Sequence, residues 1–553
     1  MIISALVKRY EDIPDIPIGW QKREVSYALD IDEYGQLLDV ILLEKTDNEA
    51  EQKKRTLTLP LEFVRQGIRA YEIANFLCDN GNYMLGVDPK KFESARRIHE
   101  ELLRDAISPQ TRAILAYFSS GIPRFPSEKL DKKTAVAAKF VFQFSKINGR
   151  FADYSDEVMR NAWNMYYTKE SGGLIRCLVT GKEDISLHIH SVLHLRGGQS
   201  SGSRLISANA ESFTSYSKTA KDRAADVGKY AAFAYVTALN MLLKDEKHRK
   251  FIGGDTLVFW AEKGGEAEEA LFSDMMAPPK ADEGKNLEDC ISKLAKGDWI
   301  AGYKPDRLFF LLCLSPNAAR ISVRFFHVGA FGDLLRNIQA HYSRLHVVRD
   351  GKTPFRFLPL WLILKETTAK QAGDVSPLLG GQLLRSILTG MDYPFTLFYA
   401  TLERIRAGEA VSQTKAAIIK ATLVKNYNES EVTTVALNED STYKPYVLGR
   451  LFSVLERLQE IANSNTTIRD RYFSSACTNP INVFPTLLKL SMHHASKLDN
   501  SVFYEKLKRE LLARLDDESP FPAMLSLDDQ GRFILGYYHQ RQSFFPNKDK
   551  VEA

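Results

Sequence analysis

Residues 446–462 read YVLGRLFSVLERLQEIA, in which apolar residues return every three or four positions. This spacing predicts an amphipathic helix that buries one face. Most of the chain after about residue 330 has the same period, and short joints containing Gly, Pro or Asn separate the segments. Consecutive amphipathic helices with short connections favour an antiparallel bundle. The other helices predicted in this part are 334–349, 381–388, 394–407, 412–427, 482–498 and 502–514.

The first 90 residues have a different pattern, in which short β-favouring segments lie between Pro, Gly and charged clusters. The sequence DNGN at 79–82 contains Asn-Gly and predicts a turn between two strands, 73–77 and 83–87. Helical spacing begins after Pro89. The other strands predicted in the first third are 2–7, 24–31, 37–43 and 56–61, and the helices are 109–119, 133–147 and 155–168.

The middle of the chain returns to strand-like sequence around one predicted helix at 224–243. Residues 263–304 are rich in Gly, Ala, Pro and acidic side chains, which indicates an insertion or mobile linker followed by a short helix. The strands predicted here are 174–180, 188–195, 204–208, 256–260, 309–314 and 322–328.

These elements predict an α+β fold in two parts. An N-terminal domain, 1–390, would combine a mainly antiparallel mixed sheet with added helices. A C-terminal domain, 391–553, would be an all-α helical bundle.

The composition is that of an ordinary globular protein, with 553 residues, 44% apolar and 26% charged. The formal net charge of +5 does not decide for or against nucleic acid, because binding depends on local basic clusters. Five scattered cysteines without a Cys-x-x-Cys pair argue against a zinc ribbon and fit a reducing compartment. Apolar runs such as 357–364 are far shorter than the ~20 residues that span a bilayer. We expect a cytoplasmic protein without a signal peptide or membrane segment.

One stretch carries most of the candidate chemistry: residues 188–223 read HIHSVLHLRGGQSSGSRLISANAESFTSYSKTAKDR. On a strand, His188, His190 and His194 would face the same side, and histidine is the commonest metal ligand. No acidic residue lies within this cluster to complete or orient a metal shell. The sequence therefore favours hydrogen-bonded structural histidines and no bound metal.

The run Gly-Gly-Gln-Ser-Ser-Gly at 197–202 has the glycine spacing of two known motifs. A P-loop would continue with Lys-Ser/Thr, but Ser203 and Arg204 follow here. Residues 198–202 fit Gly-x-Ser-x-Gly around Ser200, yet that nucleophile motif needs a strand–turn–helix setting that we do not predict. No complete catalytic set remains, so we expect no enzymatic activity and no cofactor.

The residues that remain suit binding. Basic side chains recur beside glycine and aromatic residues through the first 250 positions. Arginine presents a planar fork of donors to phosphate, glycine lets the backbone come close to a ligand, and aromatic rings offer stacking surfaces. The candidate phosphate contacts are Lys90, Lys91, Arg196, Arg204, Lys218 and Arg223.

Several long strings, in the same order along the chain, resemble the large subunit of the type I-C CRISPR Cascade complex. They include FLCDNGNYMLGVD near the N-terminus, CLVTGKEDISLHIHSVLHLRGGQSSGSRLISANAESFTSYSKT in the middle, and TIRDRYFSSACTNPINVFPTLLKL and LSLDDQGRFILGYYHQRQSFF near the C-terminus. The resemblance extends from the N-terminal strands to Arg541.

The resemblance implies a subunit of an RNA-guided antiviral surveillance complex. In that family the N-terminal domain recognises the protospacer-adjacent motif on duplex DNA and promotes unwinding and R-loop formation, and the bundle lines the path of the displaced strand. The implied partners are the guide RNA (crRNA), repeated backbone subunits, a subunit at the 5′ end of the guide that also processes it, and a small helical subunit. A separate helicase-nuclease is recruited after target binding and cuts, so this chain would supply no cleavage chemistry.

The family also implies that one message encodes two subunits. Residues from about 437 to the C-terminus resemble the small helical subunit, which the family translates internally. The implied start lies at a codon near 432–437.

We predict that two loops of the chain meet the motif duplex. Amide side chains supply both a donor and an acceptor for base edges, and bare glycine backbone fits a narrow minor groove, where Gln199 would act as reader or wedge. The base-reading candidates are Asn80, Asn82, Gly197, Gly198, Gln199, Ser200 and Ser201. The displaced-strand candidates are Arg450, Arg457, Arg469, Arg471, Lys489 and Lys497.

Two other classes of function stay open at this point. A metal-dependent nuclease would use the histidine cluster His188, His190 and His194. A purely structural scaffold subunit would bind partner proteins without motif-dependent affinity for DNA.

Overall fold

The computed structural model describes residues 1–545 except 13–15, 46–52, 66–69, 170–172, 188, 208–211, 213–224, 279–284, 297, 299, 301, 370–374, 464–467, 499–500 and 517. The chain forms two compact units. Unit 1 comprises Met1–His194 and Ser201–Met241, and unit 2 comprises Leu195–Ser200 and Leu242–Ala553. None of the described helices is both long and apolar enough to cross a bilayer.

The strands of unit 1 form two sheets and one hairpin. They are β1 Trp20–Val25, β2 Tyr27–Ile31, β3 Leu37–Leu42, β4 Glu44–Lys45, β5 Lys53–Pro60, β6 Cys78–Asn80, β7 Lys139–Gln143, β8 Leu174–Arg176 and β9 Glu183–Ile185. The first sheet has the order β1-β5-β4, the second has the order β3-β2-β7-β6, and β8 pairs with β9. All pairs are antiparallel except β2 with β7, which run parallel.

The helices of this region are α1 Ile2–Glu11, α2 Gly81–Met84, α3 Pro89–Leu103, α4 Pro109–Ser119, α5 Lys132–Ala137, α6 Glu157–Thr168 and α7 Lys229–Lys244. Helices α2–α6 each start at a side-chain N-cap. Asp88 accepts the amides of Lys90 and Lys91 at the start of α3, and a Ser108–Thr111 capping box starts α4. The core is rich in buried aromatic side chains, among which Phe76 stacks on Trp163 at 5.9 Å between ring centroids.

Unit 2 is built on one antiparallel sheet of the order β10-β11-β12-β13. Its strands are β10 Arg249–Ile252, β11 Asp255–Ala261, β12 Leu308–Asn317 and β13 Arg320–Ala330. Its helices are α8 Glu266–Met276, α9 Lys285–Ala295, α10 Phe331–Leu345, α11 Leu360–Lys365, α12 Pro377–Thr389, α13 Phe395–Arg406, α14 Gln413–Tyr427, α15 Lys444–Ala462, α16 Ile468–Thr478, α17 Pro480–Ala495, α18 Val502–Leu512 and α19 Leu527–Ser543. One hydrophobic core cluster runs from Ile252 of the sheet to Tyr538 of α19.

The backbones of α15 and α19 touch where each helix has a glycine. A Cβ on residue 449 would lie 1.9 Å from the carbonyl oxygen of Phe533, and a Cβ on residue 536 would lie 2.1 Å from that of Tyr446. No side chain larger than a hydrogen atom fits at either point. These two glycines therefore set how closely the two helices pack.

The α+β class predicted from the sequence is confirmed, with N-terminal sheets and C-terminal helices. The periodic helices from 334 onward are also confirmed, with shifts of a few residues at their ends. The boundary predicted near residue 390 stays a prediction.

Several predicted elements were wrong. Residues 2–7 are not a strand but part of α1, which buries Leu6, Val7 and Tyr10 at helical spacing. The predicted 133–147 helix ends at Ala137, and β7 follows as a strand with a buried centre, Phe140–Phe142, whose apolar run the helical period could not distinguish. The predicted 79–82 turn is the end of β6 joined directly to α2.

The middle of the chain also differs from the prediction. Residues 188–195 and 204–208 form no regular strand within the part that the structure describes, where an isolated bridge pairs Leu193 with Ser203. The acidic segment predicted as a linker contains α8, whose Glu268 and Glu269 are buried. Their carboxylates accept the backbone amides of Lys304 and Ala261, both at 2.9 Å, so the acids are structural. Helices α11, α16 and α19 were missed.

We expect Gly449→Ala to lower the free energy of unfolding by about 2 kcal/mol or more, because the added methyl overlaps the Phe533 carbonyl. At an ordinary helix position, glycine to alanine raises the free energy of unfolding by about 1 kcal/mol. A decrease at position 449 therefore identifies the close helix contact. Urea unfolding of the full chain, followed by far-UV circular dichroism, measures the difference. Ile461→Ala, at a position 43% exposed in the same helix, is the matched control and should change stability by less than about 1 kcal/mol. A Gly449→Ala protein as stable as the parent contradicts the close contact.

Candidate nucleic-acid interface

The loop tip, Leu195–Ser200, is a tight turn that exposes glycine backbone. The amide of Gly198 donates to the carbonyl of Leu195 at 3.0 Å, so Arg196 and Gly197 occupy the two central positions of the turn. Gly197 has φ +77°, as the third residue of a type II turn requires. Glycine adopts this conformation without the steric cost that other residues have.

Most of the loop tip is accessible. Arg196, Gly197, Gln199 and Ser200 are exposed, Gly198 is half-buried, and Ser201, the residue after the tip, is exposed. Among the described residues, a Cβ at position 197 would meet only the ring of Pro316, at 3.6 Å. The tip therefore presents bare backbone, one guanidinium and one carboxamide on the same short turn.

The loop base is the part of the loop that unit 1 holds, formed by Val192, Leu193, Gly202 and Ser203. Leu193 and Ser203 exchange both backbone hydrogen bonds, at 2.8 and 2.9 Å. Gly202 has φ +84°, and a Cβ there would lie 2.6 Å from the Cβ of Val192. Gly202 is therefore needed for packing as well as for its backbone conformation, whereas Gly197 is needed for conformation alone.

The Arg196 side chain lies over an aromatic ring that sequence reasoning did not select. Its guanidinium carbon is 4.9 Å from the ring centroid of Phe251, and that of Arg249 is 5.2 Å from the same centroid. Phe251 is 41% exposed. An Arg-x-Phe pair on a short strand was the only signal in the sequence, because it puts both side chains on one face.

Asn80 lies at the junction of β6 and α2 and caps the helix. Its side-chain oxygen accepts the amide of Asn82 at 3.0 Å. A Cβ at Gly81 would lie 2.7 Å from the carbonyl oxygen of Ala135, so the backbone here is packed against the protein rather than open. Asn80 and Asn82 are both half-buried. The predicted bare turn is thus a capped helix start that carries two amides.

An ion pair with a buried carboxylate stabilises this junction. The Asp79 side chain is fully buried, pairs with Arg65 and accepts the amide of Asn75 at 2.9 Å. The Arg65 guanidinium lies 4.1 Å from the ring centroid of Tyr83, one turn beyond Asn80. Asp79 therefore holds the strand end that positions Asn80, a role that its sequence context did not reveal.

The predicted phosphate contacts differ in exposure. Lys90 is exposed in the first turn of α3, and Lys91 is half-buried with its ammonium 3.5 Å from Asp88. Arg204 is half-buried, and its Nε donates to the carbonyl of His190 at 2.8 Å. Burial lowers the pKa of Arg204, which fits a structural guanidinium. Lys218 and Arg223 lie outside the described residues.

His190 and His194 do not share one face, because their segment is not a strand. His190 is 2% exposed, and its Nδ1 lies 2.7 Å from the hydroxyl of Tyr235. Burial, reinforced by the nearby Arg204 charge, lowers the pKa of His190 to about 4, so the ring is neutral at pH 7. His194 is exposed, and His188 lies outside the described residues. Within the described part of the chain, no group of three His, Cys, Asp or Glu is placed to hold one metal ion.

The basic residues of the bundle fall into two groups. Arg450 is 2% exposed and donates to Gln540 at 3.0 Å and to the carbonyls of Asn438 and Glu439 at 3.0 and 2.9 Å. Arg457 and Arg469 are half-buried, and each guanidinium lies near a phenylalanine ring of the same unit. The exposed basic residues of the predicted set are Arg471, Lys489 and Lys497.

Comparison with known families places the chain beside CRISPR-associated proteins. Residues 6–545 match the family described as CRISPR-associated protein (Cas_Csd1). The matched range includes the loop tip, the Asn80 junction and the helices from α10 to α19. No curated protein matches the sequence.

The two loop glycines should respond differently to alanine. We expect Gly202→Ala to lower the melting temperature well below that of Gly197→Ala, because only the first adds a clash with Val192 to the cost of a positive φ. That backbone cost is about 1–2 kcal/mol for an L-residue in the left-handed region. Differential scanning calorimetry of the full-length variants measures both.

Gly121→Ala is the matched control, since Gly121 has φ +90° and nothing within 4 Å of a Cβ. It isolates the backbone cost, and Gly197→Ala should resemble it. A Gly202→Ala protein that melts with the Gly121→Ala protein would show that the loop base is not tightly packed.

Proposed function

This chain belongs to the Csd1 family of CRISPR-associated proteins, the large subunits of type I-C Cascade complexes, and we propose that it recognises the protospacer-adjacent motif on duplex DNA. In this proposal it also promotes unwinding and R-loop formation and holds the displaced strand. It further helps to recruit a separate helicase-nuclease. The single observation that carries the proposal is the exposed glycine turn at Arg196–Gly197–Gly198, next to Gln199.

The turn suits close contact with a groove. The minor groove of B-DNA is only about 6 Å wide, so a main chain without side chains enters it most easily. Gly197 offers such a main chain, and among the described residues only the Pro316 ring lies within 4 Å of where a Cβ would stand, at 3.6 Å. Gln199 follows within two residues, and its carboxamide supplies a donor and an acceptor for a base edge or a wedge between bases.

The Asn80 junction is the second site that we propose contacts base edges. The side-chain oxygen of Asn80 caps α2, so Asn80 would contact a base through its NH₂ group as a donor. Asn82 is in the first turn of the same short helix. Lys90 and Lys91 begin the next helix, where they suit contacts with phosphates that fix register without reading sequence.

We propose that the chain supplies no cleavage chemistry and acts with the guide RNA and its partner subunits. The buried, neutral His190 bonded to Tyr235 supports a structural role for this histidine. Ser200 stands in an exposed turn whose next residues form no helix, unlike a nucleophile elbow. Residues from about 437 onward contain α15–α19, which we propose correspond to the internally translated small subunit.

The proposed path of the displaced strand uses the exposed basic residues of the bundle. Arg471, Lys489 and Lys497 present their charges to solvent. Arg450 is left out of this path, because its donors are used inside the bundle. Arg457 and Arg469 are half-buried and donate hydrogen bonds to Glu460 and to the carbonyl of Glu409, so they would contribute less.

Base reading predicts a change in motif preference. We expect Gln199→Ala, Asn82→Ala and Asn80→Ser each to reduce the ratio of affinities for duplexes with and without the motif, because a base contact is worth about 1–3 kcal/mol. Serine at 80 keeps an N-cap oxygen and removes the NH₂ donor, so the junction stays folded. Equilibrium binding of the assembled complex, at one stated salt concentration, gives the ratio.

Lys90→Ala is the phosphate control and should weaken both duplexes equally. Unchanged motif preference in all three amide variants would remove these residues from motif reading. A complex without any motif preference would instead favour the scaffold alternative.

Charge on the bundle predicts a separate effect. We expect the triple change Arg471→Gln, Lys489→Gln and Lys497→Gln to weaken full R-loop formation by roughly tenfold or more, because several phosphate contacts are lost together. Binding to a short motif duplex should be unaffected. Permanganate footprinting of the displaced strand measures the R-loop.

The matched control, Lys296→Gln with Lys352→Gln and Lys365→Gln, removes three exposed charges elsewhere in unit 2 and should change neither assay. Equal loss in both assays would contradict the assignment of this surface to the displaced strand.

A further inference from the structure

Phe251 gathers two positive charges around an exposed aromatic ring. The guanidinium carbons of Arg196 and Arg249 lie 4.9 and 5.2 Å from its centroid, and the ring is 41% exposed. Two cations repel each other, but the negative face of an aromatic ring attracts each of them and offsets that cost. Such an arrangement is ready to receive a negatively charged group.

The three side chains converge from two distant parts of the sequence. Arg249 and Phe251 are two positions apart on β10 and therefore project from the same face of the strand. The opposite face carries Ile252, which is buried, and Lys250, whose pKa burial lowers. Arg196 joins them from the loop tip, whose Gly197 is next to Pro316 of β12 in the same sheet.

Little opposing charge is built around these arginines. Arg249 donates through Nη1 to the carbonyl of Leu243, which orients the guanidinium without neutralising it. Its ion pair with Glu246, at 3.5 Å, involves a carboxylate side chain that is 88% exposed. An ion pair of this kind is screened by solvent and contributes little. The site therefore keeps most of its positive charge.

We propose that Arg196 and Arg249 form an arginine clamp that binds the phosphodiester backbone of target DNA, with Phe251 as the residue that positions both arginines. Guanidinium groups match phosphate with two parallel donors, and these charge-assisted bonds are the strong ones. The ring orders the Arg196 side chain before binding, which lowers the entropic cost of contact. The proposal rests on the proposed function in one respect, since it assumes that the loop tip faces DNA.

The clamp and the motif reader have different signatures. Contacts to phosphate change affinity and its salt dependence for every sequence, whereas Gln199 changes the preference between sequences. Each phosphate contact contributes about 0.9 to the slope of log affinity against log salt for duplex DNA. The two proposals can therefore fail separately.

The experiment uses the assembled complex with guide RNA and measures affinity from 50 to 300 mM salt. We expect Arg249→Gln to weaken binding about tenfold for duplexes with and without the motif, to leave their ratio unchanged, and to reduce the salt slope by about 1. Arg196→Lys keeps the charge but loses the planar fork, so an intermediate loss is expected. Arg336→Gln, an exposed arginine of α10, is the matched control and should change nothing.

Phe251→Leu tests the positioning role. It should weaken binding several-fold on its own, and it should add nothing in a protein that already carries Arg196→Gln and Arg249→Gln. A ring that served only to stabilise the fold would instead add its effect to that of the double variant. The melting temperature of each variant is recorded beside its affinity, and the Arg249→Gln result stands whether or not Phe251→Leu is stable.

Two DNA substrates show which part of the target supplies the phosphate. A loss seen with fully paired duplexes assigns the clamp to the motif duplex, and a loss confined to duplexes with an unpaired non-target strand assigns it to the displaced strand. Unchanged affinity and salt slope on both substrates overturn the proposal. So does loss of guide RNA or partner subunits from the Arg249→Gln complex, because the clamp would then serve assembly. The two claims are tested separately. Gln199→Ala tests motif reading through the ratio of affinities, and Arg249→Gln tests phosphate binding through affinity and salt slope, so either claim can fail while the other holds.

Discussion

Two glycines allow the backbones of α15 and α19 to touch, and much of unit 2 depends on that contact. Gly449 lies against the carbonyl of Phe533, and Gly536 lies against that of Tyr446. Because the helices approach so closely, α19 is buried on nearly all sides, and its polar side chains need partners inside the protein. The Gln540 side chain receives the guanidinium of Arg450, and the His539 ring bonds to the Tyr446 hydroxyl at 2.9 Å. Burial lowers the pKa of His539 to about 3, so this network holds a neutral ring at pH 7.

The degree to which an element is buried also influences whether its sequence pattern reveals it. Helices with one buried face, such as α10 and α13, have a clear apolar period and were found. Helix α19 has buried Gln530, Arg532 and Gln540 among its apolar residues, so no apolar stripe marks it. Strand β7 was taken for helix because it is buried between β2 and β6, where an unbroken apolar run replaces alternation. Local pattern is therefore least informative where burial is complete, since the pattern reports a difference between faces. Helices α14 and α15, whose residues 413–423 and 445–456 are all buried, were still found.

Some residues of the candidate interface could be predicted from the sequence, and others could not. Glycine and amide residues at 80–82 and 197–202 were predicted because turn chemistry is local. The grouping of Arg196 with Phe251, and of Arg65 with Tyr83, depends on residues that are brought together only by the fold. The shared face predicted for His190 and His194 was wrong because it assumed a strand, and His190 is instead bonded to Tyr235. Residue type alone therefore identified the loop, whereas packing was needed to find what supports it.

Burial also separates arginines that hold the fold from arginines that are available to a ligand. Arg450 gives its donors to two carbonyls and a carboxamide, and removing it would leave buried acceptors unpaired. Arg196 has no such role in the described part of the chain, where its guanidinium lies over the face of an exposed ring. A cation held by a ring keeps its hydrogen-bond donors, since the attraction uses the charge and not the N–H groups. That distinction is why an exposed Arg–Phe pair at a rigid turn suits phosphate, while a buried arginine of the same charge does not.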